Sequence, residues 1–408
     1  MKTITWAQRI FSVVLIAAWL CYAAINILLQ APALGAAYSR GWNFDSRIEN
    51  IKQTANGSFA YHRIFQDING YRNLLTGSEI VPVDSGLSVI RGKDGYLYYS
   101  NIFPYENYDY STRALQLREV QNALQERGGA LLFVNCPDLY MEGFSDSELP
   151  ISNLNARSNA LLYALQGYGV AFMDARRVLA ESDLTPSQYR YKTEPHWTTQ
   201  ASFEVYLALL DWMEQQGAFV ENSDFFANRS NYKQTIYENA FSGQIGQRVG
   251  IPYSGYDDFT LIAPNFETGF TLSYHKTSLL QPKQGNFASV LLEQHWIEQN
   301  NPYERNMYNV YLTSLYSFRQ IKNDLNPNGP KILVIGDTYM LPVASFLATA
   351  ASEVCLLWPY SVPNMDEGVK SLLDYIEQND FDHVIIGMNP GSMYDGGFNF
   401  LGGIDIPE

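Results

Sequence analysis

A threonine that directly follows a strand-like segment is the first candidate for chemistry. Gly336-Asp337-Thr338-Tyr339 comes after the apolar run Lys331 to Ile335 and before a helix-like segment. A strand, a tight glycine turn and a helix start would bring the Thr338 hydroxyl to the lip of a sheet, beside backbone N–H groups able to hold an oxyanion. This pattern predicts an acyl-transfer nucleophile. The alternative is that Asp337 or Thr338 only caps the helix.

A histidine that could serve as the base lies in Tyr191-Lys192-Thr193-Glu194-Pro195-His196-Trp197-Thr198. Pro195 favours an extended conformation at Glu194. Residues two apart in an extended segment share a face, so the Glu194 carboxylate could orient the His196 imidazole while Trp197 points the other way. Thr198 or Thr199 would then cap an amphipathic helix. The alternative is an ordinary histidine in the core or facing solvent.

Strand-like and helix-like segments alternate around both motifs, and such alternation is typical of a parallel sheet. The fold class predicted is α/β, a doubly wound parallel sheet with helices on both faces. Residues 215–328 are rich in Tyr, Asn, Phe and Gly and predict an insertion of loops and small antiparallel strands. The predicted strands are Ala130 to Asn135, Val170 to Met173, Lys331 to Ile335, Val354 to Trp358 and His383 to Met388, and the helices Ser158 to Leu165, Leu341 to Ala351 and Glu367 to Gln378.

The first 37 residues predict a membrane segment. Lys2 and Arg9 precede an uncharged run from Ile10 to Leu29, and the next charged residue is Arg40. About 20 apolar residues match the hydrocarbon core of a bilayer, which favours an uncleaved anchor, and the positive charges favour a cytoplasmic N-terminus. A cleaved signal peptide is the alternative. We expect a juxtamembrane segment at 38–90 and the main domain, outside the cytoplasm, at 91–408.

Composition excludes several classes of protein. The 408 residues are 46% hydrophobic and 17% charged, which is sufficient for a sizeable core, and the formal net charge of −15 argues against nucleic acid. The five histidines are scattered without a metal-binding motif, so neither a metal nor a cofactor is expected. Outside the apolar run, Cys136 and Cys355 predict two buried thiols or one disulfide.

Three motifs together resemble those of a known family. Thr193-Glu194-Pro195-His196-Trp197-Thr198, Gly336-Asp337-Thr338-Tyr339 and Gly92-Lys93-Asp94-Gly95-Tyr96-Leu97-Tyr98 occur in the order seen in the DHHW proteins. These belong with the AlgX/AlgJ-like polysaccharide O-acetyltransferases, a branch of the SGNH hydrolase superfamily. The resemblance covers about residues 90–390 and is weak across the insertion. An N-terminal anchor is also typical of this family.

The resemblance implies a role for each site residue. Thr338 would be the nucleophile, His196 the general base and Glu194 the acid that orients the base, while Asp337 shapes the turn. The candidate donors to the oxyanion are the backbone N–H groups of Thr338 and Tyr339 and the side chains of Asn135 and Asn389.

The chain departs from the family pattern at three of these positions. Thr338 replaces a serine, Glu194 replaces an aspartate, and Pro195 replaces the first histidine of the motif. Glutamate is a known alternative acid in such triads. The extra methyl of threonine restricts χ1 and crowds the attacking oxygen, so a catalytically silent relative is an alternative.

The function implied is transfer of acetyl groups to hydroxyls of an exported or cell-envelope polysaccharide. Acetyl-CoA is absent outside the cytoplasm, so a membrane-bound O-acyltransferase would be the partner that supplies the acetyl group. The alternatives are an acetylesterase, a polysaccharide-binding or assembly subunit without catalysis, and a structural protein of the envelope.

Overall fold

A computed structural model describes residues 6–39, 47–48, 62–84, 86–100, 108–141, 152–216, 222–274, 281–312, 318–360 and 371–406. The chain divides into two compact units, with the boundary between Arg72 and Asn73. Much of the predicted juxtamembrane segment, and residues 367–370 of the last predicted helix, lie outside the described residues.

The first unit contains one long apolar helix, α1 (Trp6–Ser39), and most of α2 (His62–Leu75). Within α1, the 27-residue segment Ile10–Ala36 is apolar enough to cross a membrane, and most of its residues are exposed. At about 1.5 Å per residue this segment is roughly 40 Å long, and the hydrocarbon core of a bilayer is about 30 Å thick. The helix therefore fits a single-pass membrane anchor or a signal segment.

The second unit is built on an eight-stranded sheet with the order β5-β4-β13-β11-β12-β10-β8-β9. The first five strands of this order run parallel to one another, and the last three are antiparallel to their neighbours. The strands are β4 (Ala130–Asn135), β5 (Phe172–Asp174), β8 (Phe270–Tyr274), β9 (Lys283–Gly285), β10 (Phe318–Asn323), β11 (Lys331–Gly336), β12 (Glu353–Leu357) and β13 (His383–Met388).

Helices cover both faces of this sheet. Alternate residues of each parallel strand enter two different apolar clusters, as Leu132 and Leu131 of β4 do. The larger cluster includes α7 and α13, and the smaller one includes α3, α4 and α14. The helices are α3 (Ser111–Gln125), α4 (Leu154–Gly167), α5 (Ala175–Glu181), α6 (Pro186–Tyr189), α7 (Thr199–Gln215), α8 (Ser223–Ala227), α9 (Gln244–Val249), α10 (Ile251–Ser254), α11 (Phe287–Val290), α12 (Gln294–Glu298), α13 (Met340–Ala350) and α14 (Leu372–Asn379).

The α/β fold class is confirmed, and the central strands lie within a residue or two of their predicted positions. Strand pairing within residues 215–328 is a further finding. Three strands from this region, β8, β9 and β10, extend the main sheet, while β6 (Tyr232–Phe241) and β7 (Asp257–Pro264) pair with each other. The region therefore contributes to the same hydrophobic core as the parallel strands.

A small three-stranded sheet precedes the main one. It consists of β1 (Ile80–Asp84), β2 (Leu87–Arg91) and β3 (Leu97–Tyr99), and it packs with α9 in a third apolar cluster. Residues 92–96 of the glycine-containing motif form the turn between β2 and β3, where Gly95 has a φ of 81°, and Leu97 and Tyr98 belong to β3. The Leu97 N–H donates to the carbonyl of Lys192 at 3.0 Å, so this hairpin supports the segment that carries His196.

The two cysteines of the domain lie in different clusters. Cys136 packs with the larger cluster and Cys355 with the smaller one on the opposite face of the sheet. Both are free buried thiols and do not form a disulfide with each other.

A buried histidine should make the fold sensitive to acid. His383 packs edge-on against Trp212, with ring centroids 5.3 Å apart. Burial lowers the pKa of His383 to about 4. In the unfolded chain the pKa of this histidine is about 6.5, so below that pH the unfolded state binds a proton that the folded state does not. The free energy of unfolding should therefore fall by roughly 3 kcal/mol as the pH is lowered from 6.5 to 4. His383→Leu should remove this part of the pH dependence in urea unfolding followed by circular dichroism. The exposed His295→Leu is the control, and equal slopes in the parent and His383→Leu would contradict the assignment.

Candidate active site

Two glycines allow helix α13 to start directly against the sheet. A Cβ on Gly336, the last residue of β11, would lie 2.6 Å from Cγ of Met340, and a Cβ on Gly387 in the neighbouring β13 would lie 2.2 Å from its sulfur. Since contacts this short are not tolerated, only glycine lets the first residue of the helix sit on both strands. The turn between β11 and α13 places Thr338, which is half-buried, at the carboxyl edge of the sheet.

Asp337 holds this turn. Its side chain is 2% exposed; one carboxylate oxygen accepts the N–H of Tyr339 at 3.1 Å, and the other accepts the backbone and side-chain N–H of Asn389 at 2.8 and 2.7 Å. Burial raises the pKa of Asp337, and the donated hydrogen bonds oppose that rise. The carboxylate therefore joins the end of β11 to the end of β13.

The segment that carries His196 is fixed by its neighbours. Trp197 is buried, and its indole N–H donates to the carbonyl of Tyr339 at 3.0 Å. In return the Tyr339 hydroxyl donates to the carbonyl of Pro195 at 2.6 Å. Thr198 is the N-cap of α7 and accepts the Ala201 N–H at 3.1 Å. The two motifs, distant in sequence, thus bind each other on either side of the histidine.

Thr338, His196 and Glu194 form one hydrogen-bonded chain. His196 Nε2 lies 2.6 Å from Thr338 Oγ1, and His196 Nδ1 lies 2.6 Å from Glu194 Oε1. The second carboxylate oxygen of Glu194 accepts the backbone N–H of Gln244 at 2.8 Å. Glu194 is 2% exposed and His196 is 9% exposed. A hydroxyl, an imidazole and a buried carboxylate in this order make an arrangement able to activate the hydroxyl as a nucleophile.

The extended segment before His196 is held by Asp257, which the sequence did not single out. Its carboxylate accepts the backbone N–H of Lys192 at 2.5 Å, and the N–H and hydroxyl of Thr193 at 2.8 and 2.5 Å. The Thr193 hydroxyl in turn accepts the N–H of Gly243 at 2.7 Å. Burial raises the pKa of Asp257 to about 6, although these hydrogen bonds work against the rise. Asp257 is 64 residues away from Thr193, and no local pattern indicates the contact.

Tyr308 is a second residue that sequence reasoning missed. Its ring stacks on the imidazole of His196, with centroids 3.8 Å apart and planes 13° from parallel. Its hydroxyl donates to the carbonyl of Thr338 at 2.9 Å. Burial raises the pKa of Tyr308 well above its usual range, so the hydroxyl stays a donor. Tyr308 comes from the region predicted as an insertion, which therefore contributes directly to this site.

The structure separates the four candidate donors to an oxyanion. The Tyr339 N–H donates to Asp337, and the Asn389 amide donates to Asp337 and to Ser392 Oγ at 3.3 Å. Asn135 lies on β4, separated from β11 by β13, and its amide donates to Asp174 at 2.9 Å. In the part of the chain that the structure describes, the Thr338 N–H has no such partner, which makes it the best-placed donor of the four.

No cluster of three or more His, Cys, Asp or Glu side chains suited to a metal occurs among the described residues.

Replacing Gly243 should displace Glu194. A Cβ at this position would lie 2.4 Å from Cβ of Glu194 and 2.6 Å from the Thr193 carbonyl oxygen, so Gly243→Ala forces the acid away from His196. We expect a loss of about 1–3 kcal/mol in the free energy of unfolding by urea, the usual cost of overpacking.

Gly167→Ala is the matched control, because a Cβ at Gly167, the last residue of α4, has no atom within 4 Å. It should unfold at the same urea concentration as the parent or a higher one. If Gly243→Ala were as stable as Gly167→Ala, Glu194 would not be packed as tightly as the structure indicates.

Comparison with known proteins agrees with the resemblance seen in the three motifs. Residues 89–247 match the family model described as the SGNH hydrolase-like domain of the acetyltransferase AlgX. This match includes Glu194 and His196 and ends before Thr338. No relative was found among curated proteins.

Two solved structures have a similar fold. PatB1 of Bacillus cereus, with a sulfonyl adduct, has a TM-score of 0.61 and 16% identity over 78% of this chain and 99% of its own. A DHHW family protein from Eubacterium siraeum has a TM-score of 0.55 and 17% identity over 81% of this chain and 99% of its own. At these identities the likeness shows the fold alone. Residues 89–247 are thus similar to the SGNH hydrolase-like domain of the acetyltransferase AlgX, and the fold is similar to that of PatB1 and of the DHHW family protein.

Proposed function

We propose that this chain transfers acetyl groups to hydroxyls of a polysaccharide outside the cytoplasm, with Thr338, His196 and Glu194 as a catalytic triad. The observation that carries the proposal is the hydrogen-bonded chain of three side chains, with two contacts of 2.6 Å, at the carboxyl edge of a parallel-rich sheet. Open α/β sheets bind their ligands at this edge. The match to an acetyltransferase domain supports acetyl as the group transferred.

In the first step Thr338 becomes acetylated. Its Oγ1 attacks the carbonyl carbon of an acetyl ester while His196 Nε2 takes the hydroxyl proton, and the Thr338 N–H stabilises the oxyanion. The C–O bond to the leaving alcohol then breaks, and the alcohol takes the proton from His196. Glu194 stabilises the imidazolium that exists between these events.

In the second step a sugar hydroxyl takes the acetyl group. His196 removes the proton of the sugar hydroxyl, the sugar oxygen attacks the acetyl carbon, and Thr338 leaves with the proton returned by His196. If water takes the place of the sugar, the same residues make an acetylesterase. A sugar hydroxyl must therefore be bound beside Thr338 for transfer to compete with water.

Threonine in place of serine affects the rate more than the geometry. Thr338 Oγ1 is already within hydrogen-bond distance of the base, so the extra methyl does not keep the oxygen from His196. The methyl does crowd Oγ1, which must attack the acetyl carbon. A slow enzyme is therefore the expectation, and a binding or assembly subunit without catalysis is the second candidate.

The membrane segment bears on the acetyl donor. The apolar part of α1 fits a single-pass anchor or a signal segment, and both would deliver the domain to the outside. Because acetyl-CoA does not occur there, the proposal includes a membrane-bound O-acyltransferase as the source of acetyl groups, and an exported polysaccharide as the acceptor.

Hydrolysis of p-nitrophenyl acetate by the full chain in detergent tests the chemistry. His196→Ala should lower kcat by about 10²–10⁴-fold, the usual contribution of a general base. Thr338→Val keeps the shape of the side chain and removes the hydroxyl, so it should lose activity while unfolding in urea as the parent does. Thr338→Ser should raise kcat, because it keeps the oxygen and removes the methyl.

The exposed His295→Ala is the control for the histidine variant and should hydrolyse the ester as fast as the parent. Equal rates in the parent, Thr338→Val and His196→Ala would exclude the triad as the source of hydrolysis. No activity in the parent and none in Thr338→Ser would favour the subunit without catalysis.

A further inference from the structure

A row of aromatic side chains lies beside the nucleophile turn. Trp358 directly follows the carboxyl end of β12, the neighbour of β11. The ring centroids of Trp358 and Tyr360 are 5.7 Å apart, and those of Tyr360 and Tyr394 are 5.9 Å apart. Trp358 and Tyr360 are half-buried, and Tyr394 is 50% exposed. We call these three residues the aromatic row.

Hydrogen bonds connect the aromatic row to the turn that carries Thr338. The Tyr360 hydroxyl donates to Ser392 Oγ at 3.0 Å, and the same oxygen accepts the Asn389 amide, which also binds Asp337. Burial raises the pKa of Tyr360 to about 12, so its hydroxyl remains a donor at physiological pH. Tyr360, the middle ring of the row, is therefore joined to Asp337 in the nucleophile turn by a continuous set of hydrogen bonds.

Tyr394 is held in place at one edge of its ring. A Cβ on Gly396 would lie 2.8 Å from Cε2 of Tyr394 and 3.5 and 3.6 Å from the two ring atoms bonded to it, so the edge of the ring packs against Gly396. An aromatic ring that is fixed at its edge and 50% exposed is suited to stacking on a second flat apolar surface.

We infer that the aromatic row is the binding site for the acceptor, a neutral polysaccharide whose pyranose rings stack on it and thereby bring a sugar hydroxyl to Thr338. A pyranose ring has an apolar face of C–H groups, which an aromatic face can cover, and hydroxyls at its rim, which stay in water. A neutral polysaccharide is favoured over a polyanion because the protein carries a formal net charge of −15.

This inference takes its purpose from the proposed acetyl transfer, but its test does not depend on catalysis. Binding of cellohexaose and of chitohexaose, two neutral β-linked hexasaccharides, is measured by isothermal titration calorimetry on the full chain in detergent without any acetyl donor. Tyr394→Ala and Trp358→Ala should each raise Kd about twofold to tenfold for the sugar that the parent binds, a range set by the strength of one aromatic contact.

Gly396→Ala is the second kind of variant, because it keeps all three rings and displaces the ring of Tyr394. Gly396→Ala should also raise Kd. Because this variant removes no aromatic ring, loss of a side chain could not explain the change. Tyr163→Ala is the matched control: Tyr163 is 80% exposed on α4, makes none of these contacts, and should leave Kd at the parent value. Circular dichroism checks that each variant is folded.

Binding of neither sugar by the parent, or an unchanged Kd in folded Tyr394→Ala and Gly396→Ala, would overturn the inference. The two proposals fail separately. A chain that binds the sugar through the aromatic row and hydrolyses no ester keeps this site and loses the acetyl-transfer proposal. A chain that hydrolyses the ester and whose Kd for the sugar does not depend on the aromatic row keeps the acetyl-transfer proposal and loses this site.

Discussion

The buried carboxylate of Glu194 is the constraint on which the site depends. A carboxylate that is only 2% exposed costs several kcal/mol unless hydrogen bonds replace the water it has lost. Here one oxygen contacts His196 and the other accepts the N–H of Gln244. Much of the surrounding structure maintains these two contacts. Asp257 holds the extended segment before the acid, and the missing side chain of Gly243 lets the start of α9 approach it.

The sheet places the other end of this hydrogen-bonded chain. Thr338 and His196 are 142 residues apart in sequence, and they meet because β11 is a central strand whose carboxyl end lies beside the start of α7. Gly336 and Gly387 let α13 begin at that end, and the exchange of hydrogen bonds between Trp197, Tyr339 and Pro195 locks the two segments together. The positions of base and hydroxyl are thus set by the packing and hydrogen bonds of buried neighbours.

The sequence predicted the site where the relevant geometry is local. Pro195 indicated an extended segment, which puts Glu194 and His196 on one face, and the strand, glycine and helix around Thr338 indicated an exposed hydroxyl at a sheet edge. The contacts of Tyr308 and Asp257 could not be predicted, because each connects residues far apart in sequence. For the same reason periodicity could suggest short strands within residues 215–328 but not that three strands from this region would extend the main sheet.

The most direct test of the account is to identify the residue that carries the acetyl group. The full chain is mixed with p-nitrophenyl acetate, quenched in acid within the first turnover and digested, and the peptides are examined by mass spectrometry. We expect acetylated Thr338 in the parent, no acetylation at this position in Thr338→Val and strongly reduced acetylation in His196→Ala. Acetylation at another residue, equal in the parent and in both variants, would contradict Thr338 as the nucleophile and His196 as its base.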